Sequence, residues 1–132
     1  AKNVKQAARL PVLLKHSCTH DYISIANPKE GTVEAINMNS IPWKEIFPNQ
    51  TSPLANLGGG GVSGKVAQGK NWGALETLAR ETNIPVIGPS VWEFEDIQKL
   101  FDLGAKAVAF GSIFLRTPWK PTGFVKRFSN TR

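Results

Sequence analysis

Short apolar runs alternate with longer amphipathic ones along this chain, and the alternation predicts β/α units. Residues 11–15 (PVLLK) form an apolar run too short for a helix, which predicts a buried strand with Lys15 at its carboxyl end. Residues 32–37, 84–88 and 105–111 predict three more strands. Residues 71–82 place Trp72, Leu75, Leu78 and Ala79 on one side and Glu76, Arg80 and Glu81 elsewhere, the spacing of an amphipathic helix. Residues 93–103 put Phe94, Ile97, Leu100 and Phe101 on a second helical stripe, and Gly104 supplies its stop. Residues 21–26 predict a short helical stretch broken at Asn27 and Pro28, and residues 2–9 the last turns of a helix, so that the chain opens within a unit. Residues 41–53 hold Trp43 and three prolines and predict an irregular surface excursion. Strands joined by helices in this order predict a parallel α/β sheet with right-handed crossovers.

The excursion leads into residues 57–65 (LGGGGVSGK), where five of nine positions lack a side chain. Such a backbone takes positive φ and lets successive amides converge on an anion, with Lys65 adding charge. Gly-rich composition is also that of a flexible linker. The frame Gly59 to Lys65 fits a P-loop, but Val66 stands where a magnesium-binding hydroxyl is needed and no Walker-B strand follows. Nucleotide hydrolysis is therefore not expected.

Ligands of parallel sheets bind at the carboxyl ends of the strands. Those ends carry Lys15, then Asn39 and Ser40, then Gly88, then Gly111 and Ser112. The amides of Asn37 and Asn39 and the hydroxyl of Ser40 either read the polar edge of a planar ligand or cap the next turn.

The 132 residues carry a net charge of +6, unevenly placed. Residues 103–132 hold six cations and no acid, interleaved with Phe114, Trp119, Phe124 and Phe128. This end suits an anionic cofactor, RNA or an acidic partner, and equally an ordinary solvated helix face. Cys18 is the single cysteine, which excludes an internal disulfide and a thiolate metal cluster and points to a reducing, cytoplasmic setting. His16, Cys18 and His20 would share one face of an extended segment, but with only Asp21 nearby no metal site is expected. No apolar run is long enough to span a bilayer and no signal-peptide pattern opens the chain.

Five stretches together resemble the C-terminal half of the dihydroorotate dehydrogenase family of FMN-binding (β/α)₈ barrels. They are LPVLLK at 10–15, MNS at 38–40, GGVSG at 60–64, IPVIG at 84–88 and FGS at 110–112, in the family's order and over nearly the whole chain. The resemblance implies strands 5 to 8 of a TIM-type barrel, with residues 1–132 a single half-barrel domain of a larger barrel. It implies an FMN-dependent oxidoreductase that passes a hydride between the flavin and a small planar or carboxylated substrate. Lys15 would contact the flavin ring and counter its negative charge, and Asn39 and Ser40 would bind substrate. Gly60, Gly61, Ser63, Gly64, Gly88, Gly111 and Ser112 would hold the cofactor, chiefly its phosphate.

The sequence departs from the family in three places. Pro89 and Ser90 stand where a Gly-Gly pair is usual, and the crossover after the first strand is short. The family's Cys or Ser base belongs to the half that these residues do not match, and Cys18 follows the wrong strand to replace it. Another chain, a second copy or a preceding segment is expected to complete the sheet, whose edges would otherwise be open. Two other readings compete: a flavin-dependent tRNA-dihydrouridine synthase-like enzyme, for which the basic end would suit RNA, and a degenerate barrel serving as a non-catalytic interaction or scaffold subunit.

Overall fold

The computed structural model describes residues 11, 13–16, 33–38 and 40–131. The predicted helical turns at 2–9 and 21–26, together with Cys18, His20 and Asn39, lie outside them.

Four short strands form one parallel sheet: β1 (Leu13–His16), β2 (Ala35–Met38), β5 (Val86–Gly88) and β6 (Ala107–Val108), in the order β1-β2-β5-β6. Leu13 lies opposite Ala35, Ile36 opposite Val86 and Gly88 opposite Val108. The predicted α/β class and parallel sheet are therefore present. The sheet has two ends at β1 and β6 and is not a closed barrel among the described residues.

Strand β2 shows how the sheet is packed. Ile36 and Met38 are buried, whereas Ala35 and Asn37 are only partly so. Successive side chains of a strand point to opposite faces, so Asn37 belongs to the face opposite the one buried by Ile36 and Met38. Ile36 and Met38 join one hydrophobic core with Leu75 and Leu78 of helix α2 (Gln68–Glu81) and Ile97 and Leu100 of helix α3 (Glu95–Asp102). Gly104 closes α3 at φ 101, and its amide donates to the Phe101 carbonyl.

Residues 41–62 are more ordered than their composition predicts. Strand β3 (Ile41–Pro42) pairs antiparallel with β4 (Gly61–Val62), and the short helix α1 (Trp43–Ile46) follows β3 directly. The Trp43 amide donates to the Gly60 carbonyl at 2.9 Å, which extends the pairing by one step. Two further short helices, α4 (Ile113–Arg116) and α5 (Lys120–Asn130), follow β6. Phe124 and Phe128 of α5 pack on the core and meet Phe94, Phe110 and Phe101. Three of the five aromatics in the basic end, Phe110, Phe124 and Phe128, thus serve packing, while Phe114 and Trp119 are exposed.

Candidate functional site

The carboxyl ends of β1, β2, β5 and β6 meet at one cavity of about 250 Å³. Lys15 borders it from β1, Asn37 and Met38 from β2, and residues 89–92 from the loop after β5. Residues 109–113 enter from the loop after β6, and Ser63 and Gly64 from the turn after β4. Lys15, Ser63, Gly64, Gly111 and Ser112, five of the residues picked from the sequence, are therefore brought together.

The others fall elsewhere. Gly60 and Gly61 lie on the hairpin, not on the cavity: Gly61 is paired with Pro42, and a Cβ on it would come 2.6 Å from Ser40 Oγ. Ser40 is consequently packed against Gly61 and does not line the cavity. Gly60 has φ 150 and its carbonyl serves Trp43. Gly58 and Gly59 spend their amides on the Ala55 and Leu54 carbonyls of the preceding turn. The run of glycines thus builds the turn into β4, and only its far end, at Ser63 and Gly64, reaches the cavity. Gly88 is buried in β5, where a Cβ would come 2.9 Å from Leu100 Cδ2, so its missing side chain makes room for helix α3.

The backbone donors around the cavity are distinctive. The amides of Ser63, Gly64, Ser90, Val91, Gly111 and Ser112 donate to no acceptor among the described residues. Val91 is buried and Gly64, Ser90 and Ser112 are half-buried, whereas Ser63 and Gly111 are exposed. Buried N–H groups are nearly always paired in folded proteins, so unpaired ones on residues beside a cavity are candidate donors for a ligand. Pro89 itself has no N–H to give, but the two residues after it do. Lys15, exposed at the rim, adds a cation.

Asn37 belongs to the polar group at the end of β2 but was not among the residues that the resemblance put at a ligand, and it borders the cavity. Its Oδ1 is buried and has no hydrogen-bond partner among the described residues. A buried carbonyl oxygen left unpaired costs about 1–3 kcal/mol, and this one belongs to a residue that borders the cavity. Alternation along β2 is the signal that would have found it, since Ile36 and Met38 take the core face.

The basic end is partly engaged. Lys120 pairs with Glu93 at 3.0 Å, and Arg127 lies 3.8 Å from the Phe94 ring centroid and 3.8 Å from Glu95. Among the described residues no group of three or more His, Cys, Asp or Glu is placed to hold a metal, and no helix is long and apolar enough to cross a membrane.

A scan against protein-family models and a search of curated proteins each returned no match to this chain.

Proposed function

We propose that this chain binds FMN at the carboxyl ends of its four parallel strands and serves a flavin-dependent oxidoreductase of the dihydroorotate dehydrogenase type. The observation that carries this is the set of six amides on residues lining the cavity that have no acceptor among the described residues, with Lys15 on its rim. Convergent N–H groups and a nearby cation are what a phosphate monoester requires.

The residues present fit the cofactor's phosphate end. A cavity of about 250 Å³ falls just short of the roughly 300 Å³ at which pockets for whole drug-sized ligands begin. It therefore suits the phosphate and part of the sugar-alcohol chain, and Lys15 and Asn37, which border the same cavity, would meet the rest of the cofactor. Bound FMN supplies two-electron chemistry. Asn37 would accept a hydrogen bond from a ring or substrate N–H, and Lys15 would offset negative charge that develops beside it. A base for the accompanying proton comes from the strands that complete the sheet, whether in another chain, a second copy or a preceding segment.

Gel filtration of the purified chain after incubation with excess FMN tests this directly. Co-elution of the visible flavin band with the protein is expected, and its complete separation would remove the cofactor from the account.

A further inference from the structure

Helix α2 carries a polar residue where its spacing calls for an apolar one. Asn71, Ala74, Leu75 and Leu78 form its buried stripe, and Asn71 is fully buried. A buried amide in that stripe costs free energy unless its hydrogen bonds are made. Asn71 Nδ2 donates to Ser90 Oγ at 3.1 Å.

Ser90 is in turn the one non-glycine residue with positive φ, at 63°, among the described residues. A side chain in that region costs about 1–3 kcal/mol and persists only where surrounding contacts impose it. Four side chains impose it here. Besides Asn71, Gln68 Nε2 donates to the Ser90 carbonyl at 2.9 Å and Trp72 Nε1 to the Pro89 carbonyl at 3.1 Å. Asp96 accepts from Gln68 Nε2, Trp92 N and Glu93 N at 3.0, 3.0 and 2.9 Å. The loop on the cavity wall is thereby pinned on both sides of Ser90, while the Ser90 and Val91 amides have no acceptor among the described residues.

We infer that Asn71 is a positioning residue: by holding Ser90 left-handed it turns the Ser90 and Val91 amides to a ligand phosphate, replacing the donors that Pro89 cannot supply. This rests on the flavin reading for the identity of the ligand, but the conformational role of Asn71 stands independently of it.

Two variants at Ser90 separate conformation from chemistry. Ser90→Ala and Ser90→Gly both remove the hydroxyl and release Asn71, but only glycine takes positive φ without cost. Titration with FMN is expected to show the alanine variant binding roughly tenfold more weakly than the glycine variant. Equal affinities would overturn the inference. A second measurement needs no ligand: the three-bond HN–Hα coupling and the Cα and Cβ chemical shifts of Ser90 report its φ by NMR. In Asn71→Ala these are expected to leave the left-handed range, and unchanged values would overturn the role of Asn71. Should the unsubstituted chain fail to bind FMN, the flavin reading falls and the NMR comparison still decides on Asn71.

Discussion

The backbone of Gly88 and the side chain of Leu100 are in direct contact, and a Cβ on Gly88 would lie 2.9 and 3.2 Å from the two Leu100 methyl carbons and 3.3 Å from Ala105 Cβ. Leu100 is fully buried, so neither methyl has free space to move into. Helix α3 is held against β5 by this close approach, and the loop after Gly88 inherits its position from it. Gly88→Ala is expected to lower stability by about 1–3 kcal/mol through overpacking, measured by urea denaturation. A change within about 0.5 kcal/mol would mean the helix can back away freely.

Asn37 is where stability and binding oppose each other. Its unpaired, buried Oδ1 makes the ligand-free protein less stable than it need be. Asn37→Leu, similar in size and with nothing to satisfy, is expected to raise stability by about 1 kcal/mol while weakening FMN binding. Thermal melts and a flavin titration on the same sample check both halves, and a destabilised variant would show that Oδ1 is not the liability described.

Gly64 stands at φ 95 on the cavity wall, and the nearest atom to a Cβ there is Trp92 Cζ2 at 3.5 Å. Space is therefore available and the cost of a side chain is one of backbone conformation. Gly64→Ala is expected to cost about 1–2 kcal/mol and to weaken FMN binding by about tenfold as the Ser63 and Gly64 amides turn. Unaltered binding would place the phosphate away from this turn.

Lys15 is exposed, so its charge acts through a solvent-screened field. Lys15→Met is expected to weaken FMN binding several-fold at low salt, with the difference from the unsubstituted chain shrinking as ionic strength rises. Affinities measured across a salt series test this, and a difference independent of salt would point to packing instead of charge.

Much of the arrangement was legible from residue order. The apolar run ending at Gly88 and the amphipathic stripes of α2 and α3 read correctly because each is local: burial follows spacing within one element. The run ending at Lys15 does form a strand, but Leu13 is 54% exposed and not buried as its apolar run predicts, because β1 stands at one end of the sheet among the described residues. The convergence of Lys15, Gly111 and Ser112 followed from the rule that parallel strands present their carboxyl ends together, whereas Ser63 and Gly64 follow the antiparallel strand β4 and were singled out by the run of glycines. What escaped is what depends on distant partners. The β3–β4 hairpin joins residues 41–42 to residues 61–62, and its two-residue strands, one holding Pro42, leave no alternation to detect. Gly60, Gly61 and Gly88 were legible as glycines but not in their roles, since the demand for a missing side chain came from Leu54, Ser40 and Leu100. Asn71 hid in a helical stripe because its partner, Ser90, lies 19 residues away.

The central claim is that the cavity's unpaired amides recognise a phosphate, and a comparison of FMN with riboflavin tests it most directly, because the two share the ring and the chain and differ only in that group. Calorimetric titration of the same protein with each is expected to show FMN binding at least tenfold tighter, the worth of one or more charge-assisted hydrogen bonds. Equal affinity for the two, or binding of neither, would contradict it.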